Sequence, residues 1–224
     1  MSESKIIDES KQGESLMVSA PVSPNGKKLF LESYGCAMNF SDSEIVASIL
    51  KDKGFTTTKD YTEADIIFVN TCAIREGAEQ RVRKRLTDFK KIKKTNPDLK
   101  IAICGCMMQQ PEIVEHIKKT YRHVDIVFGT HNLYKFPELL NNSIETGKVV
   151  VDVWNSTGSI AENMPIVRKD NIKSWVTVMY GCDNFCSYCI VPYVRGRERS
   201  RDITEIRNEV KKLAEDGCKE VTLL

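Results

Sequence analysis

From Lys27 onward the chain alternates short apolar strands with helices, and three of the strands end alike, in a small or hydroxyl residue followed by cysteine. Leu29 to Tyr34 runs into Gly35-Cys36, Asp65 to Asn70 into Thr71-Cys72, and Leu99 to Cys104 into Gly105-Cys106. A fourth strand, Val124 to Phe128, is closed by Gly129. Ser41-Asp-Ser-Glu44 has the form of a capping box and predicts a helix from Ile45 to Lys53, stopped by Gly54. A long basic helix is expected over about Glu76 to Lys94, and Pro111 suits the first turn of a helix through Lys119. Such a repeat leaves few folds open. It predicts a parallel sheet with helices on both faces, a doubly wound α/β domain over residues 27–147.

Outside that domain the pattern weakens. Residues 1–26 are polar and are expected to form a disordered tail. Val149 to Val153 is a candidate edge strand, and residues 148–173, which include Pro165, are expected to be a linker. A second unit spans 174–224: an apolar run from Trp175 to Met179, a cysteine loop, a helix from about Thr204 to Asp216, and a strand from Glu220. No internal repeat is evident.

Composition narrows the compartment and the partners. Eight cysteines without a secretory signal argue for a reducing compartment and metal chemistry, so a cytoplasmic protein is expected. The apolar stretch Leu16 to Val22 is too short and interrupted to span a membrane. A net charge of +2 gives no global attraction to nucleic acid, so any such affinity must come from local patches.

Cys36, Cys72 and Cys106 share one topological position, past the C-terminal end of a predicted strand. In open α/β sheets ligands bind in the crevice beyond those ends, and three thiols there can converge on one site. Cysteine is also a small hydrophobe that packs near strands, which suits Cys104 and Cys218. Spacing alone allows Cys104 or Cys106 as a ligand, and placement past the strand favours Cys106.

Cys182, Cys186 and Cys189 form a CxxxCxxC loop after the apolar run. Three thiolates are one short of the four that close a cubane iron–sulfur cluster, which leaves one iron open to chelate a small molecule. Zinc is the alternative, but its sites usually supply four ligands in paired CxxC units, and no histidine lies near this loop. The spacing and its position after a strand resemble the radical S-adenosylmethionine (SAM) enzymes.

Longer motifs carry a narrower resemblance. Tyr34-Gly-Cys-Ala-Met-Asn39 with Asp42-Ser-Glu44, Asn70-Thr-Cys-Ala-Ile-Arg-Glu76 with Ala78-Glu-Gln80, Gly105-Cys-Met-Met-Gln109, and Tyr180-Gly-Cys through Pro192 to Arg201 together resemble the methylthiotransferases. The branch that modifies isopentenyladenosine in tRNA is the most similar. The resemblance runs from about Lys27 to Leu224. It implies that Cys36, Cys72 and Cys106 bind an auxiliary [4Fe–4S] cluster, and that Cys182, Cys186 and Cys189 bind the [4Fe–4S] cluster that cleaves SAM. Its Gly-Cys-x-x-Gln pattern also selects Cys106 over Cys104.

The activity implied is addition of a methylthio group to carbon 2 of an isopentenyladenosine beside the anticodon, using two molecules of SAM. The implied partners are tRNA, met at its anticodon loop, and a reducing electron donor; the protein would be a monomer with no membrane contact. Tyr188 takes the aromatic position beside the SAM adenine, or else packs the loop. Sister enzymes acting on a ribosomal-protein aspartate or on another tRNA adenosine are the nearest alternative, and a non-catalytic iron–sulfur carrier is a further one. A radical-SAM partial barrel needs about six βα units, so this chain is expected to be a truncated fragment, inactive alone.

Two basic patches are candidates for phosphate. From Arg75 to Lys94 nine Lys or Arg face three acids, Glu76, Glu79 and Asp88, although a solvated helix face explains this equally well. Arg195, Arg197, Arg199 and Arg201 follow the cysteine loop closely and are the stronger RNA-binding candidates.

Overall fold

The computed structural model describes residues 12–18, 24–74, 76–154 and 172–224. Its larger part is a six-stranded parallel sheet of β1 (Lys28–Ser33), β2 (Thr56–Thr57), β3 (Ile66–Thr71), β4 (Lys100–Gly105), β5 (Ile126–Phe128) and β6 (Val150–Asp152), in the order β2-β1-β3-β4-β5-β6. Four helices cover it: α1 (Ala37–Asp52), α2 (Glu76–Thr95), α3 (Pro111–Thr120) and α4 (Phe136–Thr146). Strand residues alternate between two cores, as the period-2 pleat requires. Ile67, Val69, Ile101 and Ile103 pack with Val82, Leu86 and Phe89 of α2 and Ile117 of α3. Ile66, Phe68, Ala102 and Cys104 pack with Val46 and Leu50 of α1 and Phe136 and Leu140 of α4. Both faces are buried, which explains why the strands read as continuous apolar runs. Each fully buried Phe or Leu contributes roughly 1.5–3 kcal/mol.

β1 sits between β2 and β3, so the chain leaves it first to one side and then to the other. That reversal opens a crevice at the C-terminal ends of β1 and β3.

The structure differs from the sequence expectation in three places. Helix α1 starts at Ala37, with Cys36 as its N-cap, and not after Ser41. Ser41, Asp42, Ser43 and Glu44 are all buried inside the helix. Their polar groups find tertiary partners: Asn70 Nδ2 donates to Ser43 Oγ at 3.0 Å, and Asp42 pairs with Arg195 at 2.7 Å. A local capping signal has been overridden by long-range satisfaction.

Of the tail expected to be disordered over residues 1–26, residues 1–11 and 19–23 lie outside the described residues, and residues 12–18 are ordered. Ser15 forms an antiparallel bridge to Glu32, Leu16 N donates to Leu31 O at 3.0 Å, and Leu16 is 5% exposed. Because β2 pairs only with Lys28 and Leu29, the rest of that β1 edge would otherwise be bare, and residues 12–18 cover it. The edge strand expected over Val149 to Val153 is present as β6, which completes the sheet; the stretch 155–171 of the expected linker lies outside the described residues.

The second unit contains β7 (Lys173–Val176), β8 (Met179–Tyr180), a one-turn α5 (Val191–Val194), β9 (Arg199–Ser200), α6 (Ile203–Glu215) and β10 (Glu220–Leu223). The single strand expected through Met179 is therefore two strands. β7 pairs in parallel with β10 across α6, one βα step of the kind that builds a parallel barrel, and β8 pairs antiparallel with β9. Asp202 caps α6 by accepting from Thr204 N and Glu205 N. This unit docks on α1, where the Phe40 and Trp175 rings lie 5.9 Å apart.

Candidate metal centre

Parallel pairing puts all strand C-terminal ends on one edge of the sheet. Ser33 pairs with Asn70 and Thr71 with Gly105, so the three chains leave the sheet side by side, and each then presents a cysteine. Cys36 caps α1, Cys72 follows β3, and Cys106 opens a 3-10 turn, Cys106–Gln109. Gly105 makes that exit possible with a φ of +105°: a Cβ there would fall 2.4 Å from Asn70 Oδ1 and Thr71 O.

Asn39 joins the first two exits. Its Nδ2 donates to Thr71 O at 2.7 Å and to Asn70 Oδ1 at 3.1 Å, and its Oδ1 accepts from Cys36 Sγ at 3.2 Å. Arg195 arrives from the second unit. Its Nε donates to Cys106 Sγ at 3.1 Å and its Nη2 to Asn39 Oδ1 at 3.4 Å, and it pairs with Asp42 at 2.7 Å. Cys72 and Cys106 are each 2% exposed, while Cys36 is half-buried. Burial pushes the Cys106 thiol up, and the nearby Arg195 guanidinium pulls it down.

Cys104 is buried with a thiol pushed well up by desolvation, and it belongs to the core between the sheet and α1 and α4. The N-terminal segment reaches this edge too: Gln12 brackets Gly35, accepting from its N at 2.6 Å and donating to its O at 2.9 Å. Nothing local in the sequence marks Asn39, Asp42 or Gln12 as neighbours of the thiols, although Asn39 and Asp42 lie within three and six residues of Cys36.

The second cysteine set lies on the loop between β8 and α5. Gly181, with φ +77°, starts it where a Cβ would fall 2.2 Å from Arg197 O. Cys182 N donates to Gly196 O at 3.1 Å and Cys189 N to Cys186 O at 2.9 Å, so the loop is closed at its base and turned at its tip. Phe185, at φ 46°, packs edge-on to Tyr193 at 5.7 Å and lies under the Arg197 guanidinium at 4.6 Å. Cys186 is exposed and Cys182 and Cys189 are half-buried. Tyr188 is 91% exposed and does not pack the loop.

None of the eight cysteines forms a disulfide. Among the described residues no three His, Cys, Asp or Glu side chains enclose a single ion. Two sets of three soft thiols suit iron–sulfur clusters better than hard cations, and the glycine-lined exits at Gly35 and Gly105 leave the backbone close to the first set.

Comparison with known proteins divides the chain as its two cysteine sets do. Residues 28–129 match the family described as uncharacterized protein family UPF0004, and residues 176–224 match the radical SAM superfamily. The tRNA-2-methylthio-N(6)-dimethylallyladenosine synthase of Acetivibrio thermocellus is 55% identical over 98% of this chain. Those named alike from Clostridioides difficile and Staphylococcus haemolyticus are 52% and 49% identical over 88% and 89% of it. The chain belongs to the methylthiotransferase family of radical SAM enzymes. It spans 45%, 41% and 39% of the lengths of these three relatives. The UPF0004 match holds Cys36, Cys72 and Cys106, and the radical SAM match holds Cys182, Cys186 and Cys189.

Arg195, Arg197, Arg199 and Arg201 do not share one environment. Arg195 is 6% exposed and committed to Asp42 and Cys106. Arg201 is also turned inward, donating to Thr177 O and Glu209 at 2.8 Å each. Within the run expected to meet RNA, these two guanidinium groups are held by partners inside the protein. Arg199 lies half-buried with its guanidinium 5.8 Å from the Tyr180 ring. Arg197 keeps 68% of its side chain exposed and stays a surface cation. On α2, Arg85 is drawn inward to Glu32, and Arg83 pairs with Glu79. The described residues contain no helix long and apolar enough to cross a membrane.

Proposed function

We propose that this chain carries the two cluster-binding regions of a tRNA methylthiotransferase, one that places a methylthio group on carbon 2 of an isopentenyl-type adenosine beside the anticodon. The observation that carries the reading is the convergence of Cys36, Cys72 and Cys106 from three separate strands beside Asn39 and Arg195, with a CxxxCxxC loop following in the second unit. The names of its relatives favour tRNA over a ribosomal-protein aspartate.

When bound, the two [4Fe–4S] clusters and SAM supply the electron transfer and radical chemistry that an unactivated aromatic C–H demands. The chain's own part is to bind and orient. Cys36, Cys72 and Cys106 would hold the auxiliary cluster, and Cys182, Cys186 and Cys189 the other, leaving one iron free for the amino and carboxylate groups of SAM. Arg195 would donate to the Cys106 sulfur, and Asn39 holds the ends of α1 and β3 together by donating to Thr71 O and Asn70 Oδ1. Gly181 and the Cys182 N to Gly196 O bond anchor the second loop, and Tyr188 offers an open ring face for the SAM adenine. Arg197 is the side chain best placed to meet RNA phosphate beside that loop. An unstacked base in the anticodon loop suits such a mouth. The reaction needs an external electron donor and a reducing, cytoplasmic setting.

The test is made with the intact protein reconstituted anaerobically with iron and sulfide. Nucleoside analysis of tRNA should show the methylthio product, with 5′-deoxyadenosine formed from SAM under reducing conditions. Product on a ribosomal-protein aspartate instead would assign the sister activity, and the absence of SAM cleavage would leave an iron–sulfur carrier.

A further inference from the structure

Arg195 stands six positions after Cys189, on the single turn that ends the SAM-cluster loop, yet its guanidinium lies inside the other cysteine site. Its fork is divided. Nε points at Cys106 Sγ at 3.1 Å, while Nη2 serves Asp42 at 2.7 Å and Asn39 Oδ1 at 3.4 Å. An ion pair serving only to pin the second unit to α1 would need Asp42 alone. The turn is also held from the side of Cys106: Thr130 Oγ1 donates to Val194 O at 3.1 Å, and Thr130 N donates to Gln109 Oε1 at 3.2 Å, in the same 3-10 turn as Cys106. So the direction of Nε toward the sulfur is set by three separate contacts.

We propose that Arg195 is a positioning residue for the auxiliary cluster, whose hydrogen bond to the Cys106 sulfur raises that cluster's reduction potential and ties its setting to the SAM-cluster loop. The inference rests on the assignment of Cys36, Cys72 and Cys106 as cluster ligands. A reduced cluster carries one more negative charge than an oxidised one. A buried cation donating to a ligand sulfur stabilises the reduced form more, because the interior screens the attraction weakly. Hydrogen bonds to ligand sulfur are among the levers by which proteins set such potentials. The short covalent path from Cys189 to Arg195 means that a change at the SAM-cluster loop reaches the auxiliary site through one residue.

The experiment uses the intact protein with Cys182, Cys186 and Cys189 changed to Ala, so that one cluster remains. Iron content is measured first, then the midpoint potential by a redox titration followed by electron paramagnetic resonance. Removing Arg195 alone would strand a buried carboxylate, so the main variant is the double change Arg195→Met with Asp42→Asn. It should bind iron like its parent and titrate at a more negative potential. Asp42→Asn alone should not move the potential downward, and Arg195→Lys, which keeps the charge without the fork, should fall in between. A double variant with full iron and an unchanged midpoint overturns the proposal. Should the double variant lose iron, Arg195→Lys decides: a lowered midpoint supports the role and an unchanged one overturns it. A parent that takes up no iron while Arg195 is intact overturns the ligand assignment itself, and this inference with it.

Discussion

Gly35 and Cys72 approach so closely that a side chain on Gly35 would run into the cysteine. A Cβ on Gly35 would lie 2.8 Å from Cys72 Cβ and 3.0 Å from its sulfur, on a backbone with φ +122°. Gly35→Ala therefore meets both a clash and an unfavourable backbone, a combined cost of about 2–4 kcal/mol. The auxiliary thiol set should be disturbed in consequence. Thermal unfolding should fall clearly and reconstituted iron should drop by about one cluster; normal melting and full iron would mean that the site tolerates a wider separation.

The two neighbouring cysteines separate by face. Cys104 lies in the apolar core with Phe68 and Phe128, whereas Cys106 opens the turn beyond the strand. Cys104→Ala should keep all its iron and lose about 1 kcal/mol of stability through a small cavity. Cys106→Ala should lose one cluster's iron. The reverse pattern in iron analysis would exchange their roles.

Arg197 and Arg201 should part in the same way when tested against tRNA. Arg201 has 10% of its side chain exposed and its partner Glu209 17%, so Arg201→Ala leaves a half-buried carboxylate short of its cation. Destabilisation of about 2–4 kcal/mol is expected in denaturant unfolding. Arg197→Ala should leave stability within about 0.5 kcal/mol, weaken tRNA binding and flatten its dependence on salt. Equal tRNA affinity for Arg197→Ala and the parent across a salt titration would remove Arg197 from the RNA surface.

His131 gives the fold a pH signature. Burial lowers its pKa from 6.5 to about 4, with the Arg199 and Arg195 charges adding to the shift. The folded ring therefore holds a proton less readily than the unfolded chain does. Its contribution is fully present above pH 6.5 and is lost as pH falls toward 4. Between pH 7 and pH 5 this group should account for about 1–2 kcal/mol of lost stability, since the ring is only partly buried. Denaturant unfolding of His131→Gln over that interval should show a shallower fall than the parent; parallel curves would place the pH sensitivity elsewhere.

The amino-acid sequence alone determined the alternation of strand and helix, because periodicity, Pro111 and the glycine stops act over a few residues. It also determined that Cys36, Cys72 and Cys106 would leave the sheet at one edge, since parallel strands cannot place their C-terminal ends anywhere else. The start of α1 was different. Ser41 to Glu44 carries a sound capping signal, yet β3 and Arg195 supply better partners, and only the packed structure brings those to α1. The arginines make the same point more sharply. Arg195 and Arg197 are two residues apart in one basic run, but one is buried against Asp42 and Cys106 and the other is in solvent. Whether a charge can be buried depends on the partner that meets it, and a partner from a distant helix is a property of the tertiary structure alone.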